Sequence, residues 1–182
     1  MEKLRVFESI SIDGYFSGAK GDLSWAHGGN DDAEFNDWVS GNASGGGELL
    51  FGRTTYEHMA AFWPTAQAAQ TMPVVAKGMN AATKWVASRS LKSVDWSGAR
   101  RLDGDGVAAV KKLKAEGHSM TVLGSGDFAA QLGAAGLVDE YQFVIVPVAL
   151  GAGRTVFSAK RELRLVSTKT FKNGRVVVTY AA

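Results

Sequence analysis

Short apolar runs rich in valine alternate with helix-like stretches through the first two thirds of this 182-residue chain. The strand-like runs are Leu4 to Ile10, Glu48 to Phe51, Lys84 to Ser88 and Met120 to Leu123; the helical patterns are Asp31 to Trp38, Thr54 to Phe62, Pro73 to Asn80 and Val107 to Ala115. Apolar runs without strict alternation suit strands covered on both faces, and strands separated by helices pair in parallel. The pattern therefore predicts an α/β fold with a mixed, mainly parallel central sheet between two helical layers. Phe128 to Ala134 adds a helix and Glu140 to Val148 a strand. The end of the chain changes character: Arg161 to Phe171 and Arg175 to Tyr180 flank Lys172-Asn173-Gly174. Asn-Gly supplies the positive backbone angles of a tight turn, so a C-terminal antiparallel hairpin is expected.

With 46% hydrophobic residues, the chain is long enough for one sizeable core and short for two, which predicts a single domain over residues 1–182. The glycine-rich segments 13–30 and 41–47 read as loops within it. A formal net charge of +2, scattered along the chain, argues against a nucleic-acid partner and for a small-molecule ligand. There is no cysteine, which removes disulfides, thiolate metal sites and a cysteine nucleophile. His27, His58 and His118 are too scattered for a metal site. The charged N-terminus and the lack of a long apolar run predict no membrane association and a cytoplasmic protein.

The chemistry-bearing groups gather where strands end. After Phe51 comes Gly52-Arg53-Thr54-Thr55, a helix start whose free amides and positive dipole end attract phosphate, with a guanidinium and two hydroxyls added. The same letters also read as an ordinary helix start with a threonine cap and a solvated arginine. Gly124-Ser125-Gly126 sits between a strand and a helix and lets backbone approach a pyrophosphate; the alternative is a tight turn capped by Asp127. Ser88-Arg89 ends a third strand, and an arginine beside hydroxyls suits a 2′-phosphate, though it also reads as a solvated loop residue. Three donor-rich strand ends converging on one crevice favour a dinucleotide. Asp13, at the end of the first strand, either relays a proton or makes an Asp-Gly turn. Trp25 follows glycine hinges and either covers a flat ring or packs in the core. Of the acids Asp31, Asp32, Glu34 and Asp37, any one could face the crevice, although acids favour a helix start.

Taken together, Ser11-Ile12-Asp13-Gly14, Gly52 to Glu57, Gly124-Ser125-Gly126, Gly136-Leu137-Val138-Asp139-Glu140 and Pro147 to Gly153 with Val156-Phe157 resemble the dihydrofolate reductase superfamily. The closer likeness is to the C-terminal reductase domain of bifunctional riboflavin-biosynthesis proteins. The resemblance implies a dihydrofolate-reductase-like three-layer α/β/α fold, NADPH as hydride donor, and a pteridine, pyrimidine or other small C=N or C=O acceptor. It places Gly52, Arg53, Thr54 and Thr55 at the cofactor phosphates, Ser88 and Arg89 at the 2′-phosphate side, and Gly124, Ser125 and Gly126 at the pyrophosphate. Asp13 matches the loop aspartate of the riboflavin branch, and Trp25 resembles a tryptophan near the substrate. A first-helix carboxylate contacts the pterin in such enzymes; the nearest matches are Asp31, toward the substrate, and Asp32, a candidate acid beside Asp13. Tyr15 and Phe16 depart from the arginine and small residues usual in the riboflavin branch, which implies a less polar substrate. A homodimer is a further expectation from the family. The rival expectation is a catalytically silent NADP(H)-binding sensor or interaction module.

Overall fold

The computed structural model describes residues 2–26, 32–44 and 47–182. The chain opens with β1 (Leu4–Ser11), β2 (Tyr15–Gly18), a 3-10 turn (Ser24–Ala26) and α1 (Ala33–Ser44). The middle comprises β3 (Glu48–Gly52), α2 (Arg53–Phe62), α3 (Ala66–Thr71), α4 (Pro73–Ala81), β4 (Thr83–Ala87) and β5 (Ala99–Arg101). Then follow α5 (Gly106–Ala115), β6 (Met120–Leu123), α6 (Gly126–Ala134), β7 (Glu140–Val146), β8 (Gly153–Thr155), β9 (Arg164–Thr170) and β10 (Val176–Ala181).

Eight strands form one sheet in the order β5-β4-β3-β6-β1-β7-β10-β9. Neighbours from β5 to β7 are parallel, whereas β10 runs antiparallel to both β7 and β9, giving the mixed sheet and terminal hairpin that the sequence predicts. Because side chains alternate across a strand, Leu4, Val6, Leu50, Val122, Tyr141 and Phe143 face one side, under Val110 and Leu113 of α5 and Phe128 and Leu132 of α6. On the other side Phe51 and Val86 meet Tyr56 of α2 and Met79 of α4, while Val144, Val146 and Val177 meet Phe35 of α1. This is the three-layer α/β/α arrangement. Leu4, Val6, Leu50 and Val122 have no exposed surface. Each such side chain contributes about 1.5–3 kcal/mol, so the centre of the sheet is a stiff frame for whatever its strand ends hold.

Several boundaries differ from the sequence reading. α1 starts after Asp32, which caps it, and continues to Ser44 where a loop was expected. In the hairpin only Gly174 has a positive φ, 82°. Its amide donates to the Phe171 carbonyl at 3.1 Å, and Phe171 donates to Arg175 at 2.9 Å, so the turn is a three-residue loop rather than a two-residue Asn-Gly turn. β9 begins at Arg164, not Arg161. The sequence reading omitted β2, β5, β8 and α3. β2 and β8 pair only with each other as a small antiparallel ribbon, and α3, Ala66-Gln67-Ala68-Ala69-Gln70-Thr71, lacks an apolar stripe.

Candidate active site

The parallel strands put the carboxyl ends of β1, β3, β4, β6 and β7 along one edge of the sheet. β6, inserted between β3 and β1, stops short: its register with β1 ends at Phe7 opposite Leu123, while β1 continues beside β7 to Ser11 opposite Val146. Gly124 gives the last amide to the Phe7 carbonyl at 3.0 Å, and the chain then turns through Gly124 (φ 61°) and Ser125 (φ 60°) into α6. A gap opens above β6, with residues 8–11 of β1 on one side and Gly52 of β3 on the other. Ligands of open α/β sheets bind in crevices of this kind, beyond the carboxyl ends where the chain's connections diverge.

Two of the three donor sets meet there directly. The Gly52 amide donates to Ser125 Oγ at 3.0 Å, and a Cβ at Gly124 would stand 3.2 Å from the Thr55 methyl. No side chain caps α2 or α6, where Gly52 and Ser125 hold the cap positions, whereas Thr65 caps α3 and Asp105 caps α5. The threonine and Asp127 caps considered from the sequence are therefore not formed. The first amides of α6, Gly126 and Asp127, have no intrahelical acceptor, and the dipole adds partial positive charge at that spot. The third set adjoins them: a Cβ at Gly106 would stand 3.1 Å from Ala87 and 3.2 Å from Phe128, so the start of α5 fills the space between β4 and α6. Ser88 Oγ accepts from the Ser90 and Leu91 amides at 3.2 and 3.0 Å and shapes the turn, leaving the exposed Arg89 at 3.5 Å from Asp105. Arg53 pairs with Glu57 one helical turn on at 3.2 Å, half-exposed. Exposed pairs are worth only a few tenths of a kcal/mol, so both guanidiniums are free to exchange partners.

The acids sit differently. Asp13 is exposed and accepts from Ser11 Oγ at 2.5 Å, from the Gly151 amide at 2.7 Å and from the Leu150 amide at 3.1 Å. The Ser11 hydroxyl, followed by the Gly151 amide, holds its carboxyl below the usual range. It is an ionised tie between the end of β1 and the 150–151 loop. Asp32 accepts from the Phe35 amide at 3.1 Å as the α1 cap and from the Asn173 amide at 3.0 Å. The Phe35 bond leads in lowering its pKa as well. Trp25 is half-buried, donates its indole N–H to the Asp22 carbonyl at 3.1 Å and packs on the cluster around Phe35 and Val146. Asp31 and His27 lie outside the described residues. Among the described residues no group of three or more histidine, aspartate or glutamate side chains could hold a metal, and no helix is long and apolar enough to cross a membrane.

Two features escaped the sequence reading. The β2–β8 ribbon lies over the start of α6: the Phe16 ring occupies the place a Cβ at Gly126 would take, and Arg154 donates to Ser17 Oγ at 3.0 Å and Asp127 at 2.6 Å. The second is Glu8, only 9% exposed, whose Oε1 accepts from the Ser9 amide at 3.1 Å while Oε2 has no partner. Burial pushes its carboxyl up to about 8, against a smaller downward pull from the Ser9 amide. The signal was present: Glu8 interrupts the inward stripe Leu4, Val6, Ile10 of one strand.

Comparison with known proteins supports the same architecture. The family model for the RibD C-terminal domain matches residues 2–177. The chain is 26% identical over 176 residues to the uncharacterized protein YyaP of Bacillus subtilis (strain 168), covering 94% of this chain and 90% of that one. A solved structure from Shewanella sp. PV-4, provisionally assigned to riboflavin biosynthesis, superposes with a TM-score of 0.70 at 20% identity, over 98% of each chain. The Thermotoga maritima diaminohydroxyphosphoribosylaminopyrimidine deaminase/5-amino-6-(5-phosphoribosylamino)uracil reductase superposes with a TM-score of 0.66 at 13% identity. That match covers 99% of this chain and 56% of the larger protein. An ordered set of strand ends, a gap above the short β6 and a match along nearly the whole chain lead to one assignment: the chain belongs to the RibD C-terminal domain family.

Proposed function

We propose that the chain is an NADPH-dependent reductase acting on a small C=N or C=O acceptor of pyrimidine or pteridine type. The observation that carries this is the pair of uncapped helix starts, Arg53 to Thr55 and Gly126 to Asp127, joined through the Gly52 to Ser125 Oγ bond across the gap above β6. Free amides at two helix starts, with Arg53 and Arg89 paired among the described residues to exposed carboxylates, form a donor set that fits a cofactor carrying several phosphates. Gly52, Arg53, Thr54 and Thr55 would hold one phosphate group, Gly124, Ser125 and Gly126 the pyrophosphate, and Ser88 with Arg89 the 2′-phosphate. When bound, the cofactor supplies hydride. The chain positions the two rings, and the Phe16 ribbon keeps water from the start of α6. Asp31 and Trp25 are the candidate substrate contacts. Asp13 and Asp32 remain the sequence-derived acids, but their hydrogen bonds favour the ionised form and suit them to holding loops in place.

Titration with NADPH, followed by fluorescence or calorimetry, tests the binding half; loss of NADPH absorbance with dihydrofolate, aminouracils or a carbonyl panel tests the chemical half. No binding by the native chain, together with an Arg53→Ala variant that behaves identically, contradicts the reading. The ionised Asp13 and Asp32 favour one rival, an NADP(H)-binding sensor without turnover. Binding without oxidation of NADPH by any acceptor would select it.

A further inference from the structure

Three buried side-chain oxygens have no hydrogen-bond partner among the described residues: Glu8 Oε2, Tyr141 Oη and Gln142 Oε1. Tyr141 and Gln142 stand level with Val6 and Phe7, where the β1 edge is still paired to β6. Glu8 stands one step higher. On the β6 side of β1, the Phe7 carbonyl takes the Gly124 amide, and the next amide on that edge, Ser9, has lost its strand partner because β6 has turned away. Glu8 bends back and supplies the missing acceptor through Oε1. Its carboxyl is therefore drawn to the β6 side of β1, beside the gap, with one oxygen used and the other buried and unmet. A buried polar atom without a partner costs about 1–3 kcal/mol, so its persistence calls for an explanation.

We propose that Glu8 is a ligand-contacting, proton-bearing residue of the crevice, whose neutral carboxyl donates a hydrogen bond through Oε2 to a carbonyl or ring-nitrogen acceptor on a planar heterocycle. This rests on reading the crevice as a reductase site. A protonated carboxyl carries one O–H donor, and among the described residues that hydrogen meets no acceptor. Burial, which pushes the Glu8 carboxyl up to about 8, keeps the hydrogen in place at neutral pH. Such an acceptor exists on the nicotinamide amide and on a pyrimidine or pteridine ring, so either source fits the chemistry. The other titratable groups on this face are Tyr141 of β7 and Tyr180 of β10, with Arg161 turned to the Gly133 carbonyl and Asp127 joined to Arg154 at the exposed rim. His118 bonds to Glu48 at the opposite end of the sheet.

Proton linkage tests this without any turnover. Calorimetric titration of the native chain with NADP⁺, and separately with 6-aminouracil or folate, is run near pH 8 in buffers of different ionisation enthalpy. Carbon NMR of labelled glutamate carboxyls, assigned with Glu8→Gln, follows the same samples. The probe that meets Glu8 should bind with uptake of about half a proton at pH 8, rising toward one as pH increases further, raise the Glu8 titration midpoint, and lose affinity about tenfold per pH unit above it. Glu8→Gln, which keeps the shape and an N–H donor, should fold and bind that probe without proton uptake. The arm showing the linkage identifies which ring is met. If Glu8 titrates in the ordinary carboxylate range, or if NADP⁺ and a ring compound both bind without moving it, the proposal fails while the reductase reading stands. If no probe binds at all, both fall together.

Discussion

The two ends of the parallel sheet are built from similar residues and treat them in opposite ways. At the amino ends of the strands, the charged side chains find partners within the chain, although Tyr141 Oη and Gln142 Oε1 near the start of β7 are unmet. The Glu48 carboxylate receives Trp85 Nε1 at 2.6 Å and meets His118 Nδ1 at 2.9 Å. Lys84, without exposed surface, gives its three donors to the carbonyls of Asn80, Ala82 and Ser97 at 2.8–3.0 Å and lies 4.4 Å from the centre of the Trp96 ring. Glu140 joins Arg5 at 2.6 Å and Lys3 at 3.3 Å, and Asp139 joins Lys114. At the carboxyl ends, two helices start without side-chain caps and, among the described residues, two arginines pair with exposed carboxylates and a buried carboxyl has one unmet oxygen. Internal pairing at one end makes a frame; unmet donors at the other are the groups that the proposed cofactor would meet.

The contrast is open to breaking from either side. The largest effect should come from Glu8 and pH. Its folded carboxyl, at about 8, lies above the ordinary glutamate value of 4.5, so the folded state holds a proton that the unfolded chain releases. Its contribution is fully retained below about pH 4.5 and is lost as pH rises to about 8, at up to about 1.4 kcal/mol per pH unit. Urea midpoints across that window should fall less steeply for Glu8→Gln, which should be the more stable protein at the alkaline end. Next comes the closed end: Lys84→Met should strand three carbonyls and cost about 2–4 kcal/mol in denaturant unfolding, with NADPH affinity unchanged in the folded protein. Arg53→Ala should do the reverse, lowering NADPH affinity about tenfold by calorimetry while the lost Glu57 pair changes stability by less than about 0.5 kcal/mol. Smallest is Asp13→Asn. Hydrogen exchange at the Leu150 and Gly151 amides should quicken, with little change in the unfolding midpoint. Because the Asp13 carboxyl is held below its usual range, the native tie is intact at neutral pH and is lost only as pH falls below that range, through the lowered folded value.

Much of the fold was legible because periodicity reports burial: Leu4 to Ser11, Glu48 to Gly52 and Met120 to Leu123 are central parallel strands, and the runs read from the sequence mark them closely. β2, β5 and β8 were not legible, since strands of three or four residues owe their form to a distant partner rather than to their own letters. The donor-rich strand ends were visible as motifs, but only the fold could show that Gly52 bonds to Ser125. The acids were the hardest to read. Asp13 and Asp32 look chemical in sequence, yet their surroundings are hydrogen-bond donors that keep them charged; Glu8 looks like a strand residue, yet burial keeps it protonated. What separates them is local solvation, which single letters do not carry.

The contrast between the two ends is tested most directly by an amide chemical-shift map recorded while NADP⁺ is added to isotope-labelled protein. Shifts should concentrate at Ser9, Gly52 to Thr55, Ser88 to Arg89 and Gly124 to Asp127, with Glu48, Lys84 and His118 still. Perturbation centred on Glu48, Lys84 and His118, or a map that does not change at all, would contradict the account.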